Sequence, residues 1–109
     1  MNILFVCSRN KWRSATAETM YKNHPGQQVR SAGTEPSARI KINAKMIEWA
    51  DVIFVMEKKH KQRITDRFPQ EVYEKEIIIL DIPDDYQYMD KELIEEIDSK
   101  VAPYLSERG

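Results

Sequence analysis

Three short apolar runs limit what this chain can fold into: Ile3-Leu4-Phe5-Val6, Val52-Ile53-Phe54-Val55 and Ile77-Ile78-Ile79-Leu80. Each is continuous rather than alternating, and β-branched and aromatic residues dominate. An alternating run can leave one face in water. A continuous run needs cover on both faces, which is the condition of a strand inside a parallel sheet. A weaker fourth run, Gln27-Gln28-Val29-Arg30-Ser31, ends at Gly33.

Helical stretches separate these runs. Ser14 to Asn23 places Ala17, Met20 and Tyr21 on one face, and Asn23-His24-Pro25-Gly26 stops it. Ile42 to Trp49 is a second stretch, and Lys58 to Arg67 a third, closed by Phe68-Pro69. In the last, Leu93, Ile97, Val101 and Leu105 recur every four residues, and Ile94 widens the stripe. Asp90 is placed to cap its start, and Pro103 is expected to kink or fray its final turn. Strand and helix alternate, so an α/β domain with a parallel sheet is expected. In such folds ligands bind beyond the carboxyl ends of the strands, at a topological switch point. The segment beginning at Cys7 is the first place to look.

The 109 residues suit one domain spanning 1–109. Leu, Ile, Val and Phe number 25, and the net charge is only −1, which argues for a packed core and against disorder. The near-balance of charge also argues against a general nucleic-acid binder, although a local basic site remains open. The basic run Lys58-Lys59-His60-Lys61-Gln62-Arg63 reads as a solvated helix face. One cysteine can form neither an internal disulfide nor a cysteine-rich zinc site. His24 and His60 have no other ligand type at metal spacing and read as surface or helix-end residues, so no metal or cofactor is expected. No apolar run approaches a membrane span, and the N-terminus does not read as a secretory signal. A cytoplasmic protein without a membrane partner is expected.

Cys7 therefore has to be explained by packing or by chemistry. It ends a buried strand in Cys7-Ser8-Arg9-Asn10-Lys11-Trp12-Arg13-Ser14, and Ser14 opens a helix. If the loop curls back on itself, its backbone N–H groups and the helix N-terminus converge into an anion-binding concavity. Arg13 can then grip two oxygens of an oxyanion through its planar fork. Cys7, at the base of the same electropositive cup, would have its thiolate form favoured and would face phosphorus as a nucleophile. The plainer alternative is an inert buried cysteine and a solvated arginine. The strand before, the helix after, Asn10 and Ser14 weigh against it.

The stretch Val6-Cys7, Asn10, Arg13-Ser14, Ala17-Glu18 resembles the low-molecular-weight protein tyrosine phosphatases. Ser31-Ala32-Gly33-Thr34, the run from Ala50 to His60, and Ile82-Pro83-Asp84-Asp85-Tyr86 are similar to that family's later segments, in the same order. The resemblance implies a three-layer α/β sandwich: a four-stranded parallel sheet in order 2-1-3-4, helices on both faces, and the phosphatase loop after strand 1. It implies Cys7 as the nucleophile of a cysteinyl-phosphate intermediate, Arg13 as the phosphoryl clamp, and Asp84 as general acid and base. Ser14 would donate a hydrogen bond to the Cys7 sulfur, and Asn10 would brace the loop with Ser31 in support. Ser8, Arg9, Asn10, Lys11, Trp12 and Ser14 together would bind phosphate or substrate, which would be a phosphorylated protein or small phosphoester. Inorganic phosphate or sulfate would occupy the same loop.

Family members usually carry apolar residues where this chain has Ser8 and Lys11, and glycine where it has Arg9. That departure points to a more anionic or smaller phosphoester than phosphotyrosine. Trp12 stands where many members have a second cysteine, so a protective disulfide is absent. For the acid, Asp81 and Asp85 compete with Asp84 on the residues alone, because all three follow the third apolar run. Tyr86 is either a pocket wall or a half-buried aromatic. Two other activities use a similar loop: arsenate reduction with an external thiol, and phosphate binding without catalysis.

Overall fold

The structure, a computed structural model, describes residues 1–108. Its sheet has four parallel strands, β1 (Asn2–Cys7), β2 (Gln28–Gly33), β3 (Val52–Val55) and β4 (Glu76–Ile79), in the order β2-β1-β3-β4. The expected topology is therefore the observed one. The helices are α1 (Arg13–Tyr21), α2 (Ala44–Trp49), α3 (Lys58–Arg67), α4 (Pro69–Val72) and α5 (Lys91–Arg108). No helix among the described residues is long and apolar enough to cross a membrane.

Side chains alternate across the sheet, so each continuous strand feeds two cores. From β1, Ile3, Phe5 and Cys7 face α1 and α5, where they meet Ala17, Tyr21, Leu93, Ile97 and Val101. Leu4 and Val6 face the other way, toward Ile47 of α2, Ile64 of α3 and Val72 of α4. Phe5 stacks on Phe54 with ring centroids 5.3 Å apart, which ties the central pair of strands together. The β1 and β3 runs are fully covered, as their pattern requires. The third run is not. β4 pairs only with β3, at the sheet edge, and its isoleucines are half-buried. A continuous apolar run does not distinguish an edge strand from a central one; the number of neighbouring strands decides its burial.

Helix boundaries follow local chemistry. α2 begins later than the apolar pattern suggests, because the Asn43 side chain accepts the Met46 N–H at 2.9 Å and caps the helix there. Asp90 caps α5, accepting from the Glu92 N–H at 2.9 Å. Pro69 ends α3 but also sits at the first position of the short α4, where its missing N–H costs nothing. Pro103 does not end α5, which runs on to Arg108. Val101 and Leu105 on either side of it are buried against the sheet, and this packing holds the helix through the proline.

Beyond the strand ends, β1 opens between β2 on one side and β3 on the other. The chain leaves β1 toward β2 and returns later to β3, so the loop after Cys7 lies at the switch point. Gly33, at the end of β2, lies against that loop. A Cβ there would be 2.6 Å from the Ser8 carbonyl oxygen, 2.6 Å from the Ala38 Cβ and 2.9 Å from the Arg9 carbonyl carbon. Gly33→Ala is therefore expected to cost about 1–3 kcal/mol, read as a lowered midpoint in urea denaturation. An unchanged midpoint would show that the loop and the β2 end are not in contact.

Candidate active site

The segment after β1 is shaped from outside. The Thr34 N–H donates to the Cys7 carbonyl at 3.0 Å, Glu35 N–H to Ser8 at 2.9 Å, and Arg39 N–H to Arg9 at 3.0 Å. The Arg39 side chain adds Nε to the Asn10 carbonyl at 3.0 Å. Four successive carbonyls are thus held outward. Because a trans peptide is planar, with its C=O and N–H on opposite sides, the N–H groups of Ser8, Arg9, Asn10 and Lys11 are turned inward. Asn10 shows the result: its N–H lies 3.2 Å from the Cys7 sulfur. Asn10 is also in the left-handed region, at φ 56°, which asparagine tolerates better than most residues.

A chain of side chains supports the sulfur. Asn10 Nδ2 donates to Ser14 Oγ at 2.8 Å and to Ser31 Oγ at 2.8 Å. Ser31 passes its own hydrogen to Glu18 Oε1 at 2.5 Å. Ser14 Oγ accepts from Asn10 and lies 2.9 Å from the Cys7 sulfur; a thiolate can only accept, so with Cys7 in that form the Ser14 hydrogen is directed to it rather than to the Ala32 carbonyl at 3.5 Å. The sulfur therefore sits under two donors, one backbone and one hydroxyl, an arrangement suited to a negatively charged nucleophile.

Arg13 is buried, with 2% of its surface exposed. A buried guanidinium needs partners on every side. Its Nη1 donates to Glu57 Oε2 at 2.5 Å and to the Ile82 carbonyl at 2.8 Å, and its Nε lies 3.6 Å from Asp84 Oδ1. Burial works against the Glu57 charge, but the hydrogen bond and charge of Arg13, with Lys59 nearby, hold its carboxyl below the usual range. Glu57 therefore remains the counter-ion.

Cys7, Ser8, Arg9, Lys11, Trp12, Arg13 and Asp84 line one narrow cup of about 40 Å³. Asn10, Ser14 and Ser31 lie beneath it, so Asn10 and Ser14 act on the loop rather than form its wall. Arg9 reaches away to Glu35 Oε2, 3.2 Å distant. Lys11 lies over the Trp12 ring, 5.0 Å from its centroid. Asp85 is exposed outside the cup, and Tyr86 packs half-buried against the core under α5. Asp81 is also outside, with its carbonyl bound by Lys100. Of the three candidate acids, the structure brings only Asp84 into the cup.

His60 lies at a helix end, as expected, but not at the surface. It is wholly buried in the first turn of α3. Its Nδ1 accepts the Glu57 N–H at 3.0 Å and its Nε2 lies 2.8 Å from Ser8 Oγ. Basic neighbours along the sequence make the position look solvated, but the capping bond to Glu57 turns the ring inward. Glu57, Glu18 and Ile82 lie within the segments that resemble the family, but motif reading gave none of them a role. Their signal is indirect: a buried arginine requires an acidic partner, and Glu57 opens the helix after β3.

Burial, followed by the charge of Arg13, pushes the His60 pKa down to about 3. The ordinary value, near 6.5, applies to the unfolded chain. Between those values the unfolded chain binds a proton that the folded protein does not, so stability falls as pH drops from about 6.5 toward 3. Urea midpoints should therefore decline from pH 6.5 to 5.5, before carboxylates titrate strongly. His60→Gln should flatten that decline; an identical slope in the variant would place the titration elsewhere.

Comparison with known proteins adds relationship to geometry. No family model matches the chain. A curated protein-arginine-phosphatase of Geobacillus stearothermophilus is 32% identical, the alignment covering 62% of this chain; the chain thus spans about 62% of that protein. Among solved structures, the tyrosine phosphatase Wzb from Escherichia coli K30, in complex with phosphate, superposes with a TM-score of 0.81 at 19% identity, covering 99% of this chain and 98% of that one. A low-molecular-weight phosphotyrosine phosphatase from Vibrio cholerae O395 gives 0.76 at 20% identity, covering 100% and 99%. At those identities the structural matches show the shared fold.

Proposed function

We propose that this chain is a member of the low-molecular-weight protein tyrosine phosphatase family and hydrolyses phosphomonoesters through a cysteinyl-phosphate intermediate. The observation that carries this reading is the cup itself: a sulfur held under two donors faces the same narrow space as a buried arginine and a carboxyl group. The inward N–H groups of the loop and the Arg13 fork bind the phosphoryl oxygens and gather their charge as it develops. The Cys7 thiolate attacks phosphorus. The bond from phosphorus to the leaving oxygen breaks, and the Asp84 carboxyl gives that oxygen its proton. Water then attacks phosphorus, Asp84 takes a proton from it, and the phosphorus–sulfur bond breaks to release inorganic phosphate and the thiolate.

Positioning supplies most of the catalysis in such a scheme, and the site is built for it. Glu57 and the Ile82 carbonyl hold one edge of Arg13, so the guanidinium needs no rearrangement when a substrate enters. Asp84 is more than half exposed, at the mouth, where a leaving group would depart. The wall carries Ser8 and Lys11, with Arg9 at the lip, and is cationic and polar. It suits a phosphoester in anionic surroundings, whether on a protein or a small molecule. A phosphorylated arginine, the substrate named for the Geobacillus relative, would bring a further cationic group to a cup already lined by Arg9 and Lys11, so the phosphoester reading is preferred.

With an aryl phosphate and no added metal, the wild-type protein should release inorganic phosphate, and Cys7→Ser should abolish the release. Turnover that persists in Cys7→Ser would sink the mechanism. Asp84→Asn should slow an alkyl phosphate by about 10²–10⁴-fold, while p-nitrophenyl phosphate, whose leaving group needs little protonation, should slow far less. Equal losses on both would remove Asp84 from the acid role.

A further inference from the structure

A buried polar pair beside the nucleophile has no part in the chemistry above. Ser8 is 7% exposed and lines the cup next to Cys7. Its Oγ lies 2.8 Å from Nε2 of His60, which is fully buried on α3. The other ring nitrogen, Nδ1, accepts the Glu57 N–H at 3.0 Å.

These two contacts settle which atom donates. A neutral imidazole has one acceptor nitrogen and one N–H. With Nδ1 accepting, the hydrogen is on Nε2, and Ser8 Oγ must be the acceptor of that bond. The hydroxyl has one hydrogen of its own, and it cannot point at His60. Ser8 Oγ makes no other side-chain bond to the described residues, and the residue forms part of the cup wall. Its hydrogen is thus available to whatever occupies the cup. Reversing the pair would move the ring hydrogen to Nδ1, where it would face the Glu57 N–H and forfeit that bond. A freely rotating serine could accept or donate. This one is committed to donating, like the fixed donors that stabilise developing charge.

We infer that His60 is a positioning residue that commits Ser8 to donate a hydrogen bond to an oxygen of the phosphoester held in the cup. The inference rests on the phosphatase reading and deepens it, since it adds a side-chain donor to the backbone N–H groups and Arg13. A hydrogen bond to a charged oxygen is worth enough that its loss should lower kcat/KM about tenfold or more.

The test compares wild type, Ser8→Ala, His60→Leu and the double variant, by kcat/KM on phenyl phosphate at pH 6.5. Ser8→Ala and His60→Leu should each lose about tenfold, and the double variant should be no slower than the slower single one, because His60 acts through Ser8. A purely structural role for His60 would instead multiply the two losses, and that outcome overturns the inference. So does a Ser8→Ala rate within twofold of wild type. If His60→Leu fails to fold, Ser8→Ala alone decides by the same criterion. A wild-type protein with no turnover, or turnover that Cys7→Ser retains, refutes the phosphatase reading itself. Intact turnover in Ser8→Ala refutes only the role given to Ser8 and His60.

Discussion

The outward pinning of four consecutive carbonyls, from Cys7 to Asn10, is the constraint on which the candidate site depends. The five residues between β1 and α1 have many conformations, and most would scatter their N–H groups. Bonds from Thr34, Glu35 and Arg39 take the carbonyls from one side, and the planarity of the peptide turns the N–H groups to the other. The bare backbone of Gly33 lets this outer segment lie against the loop. Below, the line from Glu18 through Ser31, Asn10 and Ser14 to the sulfur braces the same loop by its side chains. The cup is therefore organised before any ligand arrives, and little reorganisation remains for binding.

A second constraint follows from the first. Once α1 starts at the edge of the cup, Arg13 is drawn into the interior, where an unpaired charge would be very costly. The compensation comes from distant parts of the chain: Glu57 after β3, and the Ile82 carbonyl with Asp84 after β4. Arg13 thereby links the loops following β1, β3 and β4 at one end of the sheet. The same helix start that supplies Glu57 also supplies His60, which reaches under the cup to Ser8. One turn of α3 thus holds both the guanidinium and the hydroxyl wall.

How much of this was legible from residues varies by element. β1 and β3 were plain, because their continuous β-branched runs lie at the centre of the sheet and are covered on both faces. α3 was plain to the residue, with Phe68-Pro69 closing it; the Glu57 cap at its start came only with the structure. β4 misled in burial only, because an edge position is a property of the finished sheet. Pro103 lies inside α5, which runs on past it with Val101 and Leu105 buried on both sides of the proline. In the site, Cys7, Arg13 and Ser14 stood out by spacing. His60 did not, since a histidine among lysines looks solvated until its ring is bonded at both nitrogens.

Local order and periodicity, carried in the sequence, determined the alternation of strand and helix, the parallel sheet, and a cysteine placed where that sheet opens. These depend on neighbours a few residues apart, so they can be read along the chain. Which carboxylate enters the cup, which acid neutralises Arg13, and which way the Ser8 hydroxyl points were decided only by tertiary structure. Each joins residues 44 to 71 positions apart, and the contacts that select them exist only once β1, β3 and β4 stand side by side.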